Sequence, residues 1–395
     1  MDIERDGLYL FRVTYIFIMN RISQSLFAVS AITSILLTAA SCRSSKMDLE
    51  RMTVPEMETA LEEYIDEASE SALPLAAVVV LQHGKVIGER YVNGWQKDSS
   101  HHMWSTSKSY TALAVGFAMK ESLLSLNDRV CTYFPEYYEK HIDGSEQGNH
   151  IASGTIRDYL VMATGQEKDP TMMGIMSMHE KYPEVSRDEN LRCLDAYYKA
   201  AGKNLMEDLF LVPFTKTPGT HNCYNSFATY VLSAIVQKVT GVKTVDYLDE
   251  RLWKPLGIEK PEWFEVNGIS AGGWGLMLTA EDMAKTGQML LDNGLYAGKQ
   301  IVPSDYLVEA VTPFFTWDPP TYASPEEKPS YHQGYGYQFW KNGDGYNTAG
   351  AQGQFIIVLP EFDAVIVGIA DIKDDDHKEM ALMWKHIVPV LKQNV

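Results

Sequence analysis

The chain has 395 residues, 45% of them hydrophobic and 11% aromatic. That is enough to bury a sizeable core, and it excludes a disordered or fibrous chain. The formal net charge is −18; a surface of that sign repels phosphate backbones and anionic headgroups, so nucleic acid is excluded as a partner and any membrane attachment needs something other than charge.

At the N-terminus, Arg21 precedes an apolar run from Leu26 to Leu37, followed by Ala39-Ala40-Ser41-Cys42. A basic start, a short apolar stretch and small residues before a break are the pattern of a signal peptide, here 1–41. The run is too short to span a bilayer, which takes about 20 apolar residues. Ending at a cysteine, it resembles a bacterial lipobox, with Ala39 where the box usually has leucine. That resemblance implies lipidation of Cys42, a tether over 42–52, and an exported protein anchored on the periplasmic side of a bacterial membrane. Residues 1–18 precede the pattern, and Met19 is a second candidate start. Cys131, Cys193 and Cys223 form no CxxC and no metal spacing, and read as small buried side chains.

Met57, Leu61, Tyr64, Ile65 and Ala68 recur at helical spacing over 54–70. Two β-rich runs, 73–82 and 85–92, flank His83-Gly84 and predict a hairpin. A helical pattern runs over 108–122, and Asn127-Asp128 opens a short helical segment ending near Pro135. The stretch 136–330 is mostly helical, with its clearest helices at 155–163, 191–201, 226–239, 243–252 and 280–292. Segment 169–183, rich in methionine (Met172, Met173, Met176, Met178), reads as a mobile loop, and 313–334, rich in proline and aromatics, as another. Strands are predicted at 336–340, 353–359 and 364–369, then a closing helix over 377–392. Both chain ends thus carry a helix and hairpin strands. The simplest architecture is α+β: one antiparallel sheet built from both ends (about 53–100 and 331–395), flanked by terminal helices, with a large helical insert (about 101–330) and a cleft between them.

The strongest local feature is Trp104-Ser105-Thr106-Ser107-Lys108 at the start of a helix. Ser105 and Lys108 fall on one side, a turn apart. A serine hydroxyl needs a base to become a nucleophile, and a lysine can be that base if burial disfavours its ammonium form. A helix N-terminus adds a positive dipole and free N–H groups near a developing oxyanion. Taken alone, S-x-x-K is weak, and Ser105 as a helix cap beside a surface lysine is the plainer reading.

The blocks WSTSKSYTALAVGFAMKESLLSLNDRVCTYFPE, TIRDYLVMATG, TPGTHNCYNSFATYVLSAIVQKVTG, GGWGLMLTAEDMAKTGQMLL and AGAQGQFIIVLPEFDAVIV resemble, in order, the serine β-lactamase and penicillin-binding-protein superfamily, closest to its class C-like branch. The likeness covers nearly the whole chain after the leader. It implies the β-lactamase/transpeptidase-like fold and an acyl-enzyme on Ser105. Tyr224-Asn225-Ser226 stands where the family has Tyr-x-Asn, so Tyr224 shares proton transfer with Lys108, in an order the sequence leaves open. Asn225 and Ser226 would face substrate, and Ser226 loses the reach of the family's carboxamide. Ala351-Gln352-Gly353 occupies the place of the family's Lys-Thr-Gly or His-x-Gly strand motif. Gly353 would let substrate lie close, and the Gln354 N–H would join that of Ser105 in the oxyanion hole. The cation of that motif is missing, which lowers the expectation of β-lactam hydrolysis.

Two rivals stand beside this reading. Gly268-Ile269-Ser270-Ala271-Gly272 matches the G-x-S-x-G elbow of α/β-hydrolases, with Asp318 and His332 as partners; that fold needs βα units absent upstream, so a Gly-rich turn lining the cleft is the plainer reading of the segment. The other is a non-catalytic lipoprotein using the fold to bind. His101-His102 lack a third metal ligand at a telling distance and read as solvated loop histidines. Trp274, Tyr335 and Trp340 read as an apolar cleft or as core. The expectation is a serine hydrolase acting on a small-molecule ester, amide, D-amino peptide or β-lactam, with no metal or organic cofactor. The oligomeric state is not legible.

Overall fold

The computed structural model describes residues 48–181, 191–375 and 377–394. The chain divides into a unit 1–47 and a unit 48–395, and the fold described is that of the second. The signal peptide, Cys42 and the first part of the tether lie outside the described residues.

The sequence pattern becomes helix α1 (Pro55–Glu70), the hairpin β1 (Leu75–Gln82) and β2 (Lys85–Tyr91), and the central helix α2 (Ser107–Lys120). Then follow α3 (Pro170–Lys181), α4 (Ser226–Thr240), α5 (Ala280–Leu291) and the short strands β3 (Phe315–Thr316), β4 (Gly334–Tyr335) and β5 (Trp340–Lys341). The chain closes with β6 (Tyr346–Gly350), β7 (Gln354–Leu359), β8 (Ala364–Ala370) and α6 (His377–Leu382), which continues through a π-turn into a last helix, Val388–Gln393. One eight-stranded antiparallel sheet has the order β2-β1-β8-β7-β6-β5-β4-β3. The first and last strands of the chain meet one strand in from its β2 edge, where Val79 pairs with Val367.

Alternation fixes the two layers. Val79, Leu81, Ile356, Val358, Val365 and Val367 face α5 and the helical part. Val78, Val80, Phe355, Ile357, Ala364 and Ile366 face α1 and the C-terminal helices. A period of two puts neighbours on opposite faces, and both faces are covered, which is why these strands read as unbroken apolar runs. Helix α5 lies directly on the sheet: a Cβ on Gly287 would come 2.4 Å from Val365 Cγ1.

The expected α+β fold is present, with several departures. Segment 169–183 is helical over 170–181, because Pro170 suits a first helical position and unbranched methionines favour helix. Most of the strand expected at 336–340 is instead the turn between β4 and β5, where Gln338 has φ +62°, and only Trp340 of it is in a strand. The loop 313–334 contributes β3 and the start of β4 to the sheet edge. Helix α5 and β3, within the expected helical insert, pack on or belong to the sheet, so 101–330 is not a purely helical module. Residues 50–52 of the expected tether bond to β2 through Met52 N–H to Val86 O (2.9 Å) and Val86 N–H to Glu50 O (2.8 Å). Among the described residues, no helix is long and apolar enough to cross a membrane. Cys131 and Cys223 are half-buried and form no disulfide.

Candidate active site

Trp104–Thr106 forms a 3-10 turn that runs directly into α2. Trp104 has φ +45°, a left-handed conformation costing a bulky residue on the order of 1 kcal/mol and typical of functional turns. Ser105 follows it, half-buried, at the floor of a cavity of about 550 Å³. As a first-turn residue its N–H has no intrahelical acceptor.

Lys108 is 1% exposed. Its Nζ donates to Ser105 Oγ at 2.8 Å and to the Gly273 carbonyl at 2.8 Å. Burial lowers its pKa to about 7, against the opposing pull of Asp169. A neutral amine has two N–H bonds and one lone pair, so with Gly273 taking one proton the lone pair can face the serine hydroxyl. The Tyr224 phenol is hydrogen-bonded to Ser105, and burial pushes its pKa up, so it stays protonated. Its ring lies 4.8 Å from Lys108 Nζ, stacks on Trp340 (5.6 Å between centroids, 22°) and meets Tyr335 edge-on.

The structure therefore brings Ser105, Lys108 and Tyr224 together from α2 and the turn before α4. Other expected residues fall elsewhere. Asn225 caps α4: its Oδ1 accepts from Ala228 N–H at 3.1 Å and its Nδ2 donates to Gln166 Oε1 at 2.8 Å. It is fully buried, and neither it nor Ser226 lines the cavity. Gln354 is also fully buried; its Nε2 donates to Ala370 O, and its own carbonyl accepts from Thr106 Oγ1 at 2.8 Å. A Cβ on Gly353 would collide with Glu379 and Ala370, and Gly353 does not line the cavity. Gln352 lines a different pocket, with His101 and Asp371.

Of the 351–354 segment only Ala351 reaches the cavity, joined by Ala349 and Gly350. A Cβ on Gly350 would come 2.3 Å from the Met103 carbonyl, so the end of β6 lies against the turn carrying Ser105. The segment that lines the cavity with the nucleophile is thus 349–351 rather than 352–354.

The rival elbow does not form. Ser270 sits in a two-residue hairpin strand paired with Glu265–Val266, is fully buried, and its Oγ has no partner. The segment instead packs on α2, where the Gly272 and Gly273 carbonyls accept from Thr111 Oγ1 and Lys108 Nζ, and none of its residues lines the cavity. His101 and His102 are not solvated: they are 6% and 4% exposed, paired with Met277–Leu278, and Gly275 N–H donates to His102 Nε2 at 3.0 Å. Trp274 and Tyr335 are core residues, whereas Trp340 lines the cavity.

Sequence reasoning missed two groups. Asp169, half-buried near Lys108 and Tyr224, accepts from Thr171 N–H at 2.8 Å at the start of α3, and desolvation raises its pKa; the methionines around it masked that helix. The cavity walls also include Trp317, Tyr331 and His377, together with Asp318 and His332, which the sequence offered only as partners of Ser270. A proline- and aromatic-rich stretch was the available signal there. His332 stacks on Trp340 (4.4 Å, 13°) and contacts Asn347 Nδ2 at 3.1 Å; burial lowers its pKa to about 3, so it is neutral. Among the described residues no cluster of His, Cys, Asp and Glu could hold a metal ion.

An antiparallel sheet closed by both chain ends, with a serine–lysine pair opening the first buried helix, defines a class of fold and site. The model of the β-lactamase family matches residues 59–383, and the chain belongs to that family. It is similar to the 6-aminohexanoate-dimer hydrolase of Paenarthrobacter ureafaciens, 26% identical over 355 residues that make up 84% of this chain and 79% of that protein. A Bacillus anthracis structure, provisionally assigned as a 6-aminohexanoate-dimer hydrolase, superposes with TM-score 0.66 at 22% identity over 87% of both chains. The octameric penicillin-binding protein homologue of Pyrococcus abyssi superposes at 0.61 and 16% identity, over 84% of this chain and 77% of that one. At those identities the two structures speak for the fold alone.

Proposed function

We propose that this protein is a serine hydrolase of esters or amides working through a Ser105 acyl-enzyme. The observation that carries the reading is the buried Lys108 amine, 2.8 Å from Ser105 Oγ, with its pKa lowered to about 7. Lys108 takes the Ser105 proton as Oγ bonds the substrate's carbonyl carbon. The Tyr224 phenol, held protonated by its surroundings, then gives a proton to the leaving oxygen or nitrogen and recovers one from Lys108. Water reverses the sequence, releasing the acid. In this reading the Ser105 N–H and an N–H of the 349–351 segment, which lines the same cavity, hold the oxyanion. The similarity to a 6-aminohexanoate-dimer hydrolase supports amide or ester chemistry. Among the described residues that line the cavity there is no lysine or arginine for a substrate carboxylate, which disfavours penicillins. We further propose that lipidated Cys42 tethers the enzyme to the periplasmic side of a membrane.

A fluorophosphonate probe followed by intact-mass analysis tests the nucleophile. One adduct, lost in Ser105→Ala, is expected. No adduct would favour a binding protein, and an adduct lost only in Ser270→Ala would overturn the assignment.

A further inference from the structure

Among the described residues that line the cavity, the one formal charge is the carboxylate of Asp318. His332 is neutral, and burial lowers the pKa of His377. Among the described residues no lysine or arginine lines the cavity and no cation pairs with Asp318. Immediately before it, Trp317 is fixed on the mouth: its N–H donates to Gln333 O at 3.1 Å and its Nε1 to His332 O at 2.7 Å. Its ring meets the edge of Trp340 at 6.1 Å and 77° and is 38% exposed. Both faces of Trp340 are taken by His332 and Tyr224, so the indole available to a ligand is that of Trp317. A carboxylate beside a fixed, partly open indole attracts an organic cation by charge and by the ring quadrupole. The chain's net charge of −18 draws cations toward the same mouth.

We propose that Asp318 and Trp317 form a subsite for an ammonium group on the substrate, making the enzyme selective for cationic over neutral and anionic acyl compounds. The inference rests on Ser105 as nucleophile. It is tested with matched phosphonofluoridates whose tails end in trimethylammonium, in the isosteric tert-butyl group, or in carboxylate, reading Ser105 labelling rates by intact mass. The trimethylammonium probe is expected to react fastest and the carboxylate slowest. The trimethylammonium-to-tert-butyl rate ratio should fall about threefold to tenfold in Asp318→Asn, fall also in Trp317→Leu, and shrink as salt is raised. A rate ratio equal in wild type and Asp318→Asn, with Ser105 labelled in both, overturns the subsite and leaves the nucleophile standing. No adduct, or one on another residue, overturns the nucleophile and the subsite with it.

Discussion

Lys108 Nζ lies 2.8 Å from Ser105 Oγ, and among the described residues its other hydrogen-bond partner is a carbonyl, that of Gly273. An amine so placed gains little as a cation. Its protonation is opposed by burial and favoured only by the more distant Asp169.

Activity should therefore follow the neutral amine. With a Lys108 pKa of about 7, kcat/KM on any turned-over ester should rise with pH through about 7 and then level, because the Tyr224 phenol is held protonated well above that range. Lys108→Met should lower kcat/KM by roughly a thousandfold or more. A flat profile between pH 5.5 and 9 would remove Lys108 as the base.

The same shift has a stability cost. Between about pH 7 and 10.5 the unfolded chain holds a proton on Lys108 that the folded chain does not, so this site's penalty is largest below pH 7 and is relieved as pH rises. Lys108→Met should gain stability relative to wild type in urea unfolding at pH 6, with the gain shrinking toward pH 10. An increment independent of pH would contradict the lowered pKa.

Tyr224→Phe keeps the ring that stacks on Trp340 but removes the phenol. Loss of a proton donor of this kind is worth about a hundredfold to ten-thousandfold, and it should appear in kcat with KM nearly unchanged. A loss confined to KM would make Tyr224 a binding residue.

Gly287→Val would drive a side chain into Val365 and Ile356, where even a Cβ comes within 2.4 and 3.0 Å. Overpacking of this sort costs about 1–3 kcal/mol, read as a lower urea midpoint with the slope preserved. Ser270→Ala, which removes a buried hydroxyl lacking a partner, should leave both stability and labelling close to wild type.

Cys42→Ser should move the protein from the membrane to the soluble fraction of cells. Continued membrane retention would rule out the lipid anchor.

The sequence by itself carried the alternating strands of both chain ends, the helices around 55–70, 107–120, 226–240 and 280–291, and the spacing of Ser105 and Lys108, because period two, period 3.6 and one helical turn are local geometry. It could also order the family's motifs along the chain. Only the tertiary structure decided what those motifs touch. Whether Lys108 is a base depends on its burial under Gly273, 165 residues away in the chain. Whether 349–351 or 352–354 lines the cavity with the serine is also decided there. Asp169 and Asp318 gained their places through α3 docking on α4, where Phe227 N–H donates to Thr171 Oγ1, and through β3 pairing with β4. Desolvation and long-range pairing are set by the packed whole, and no window of sequence contains them.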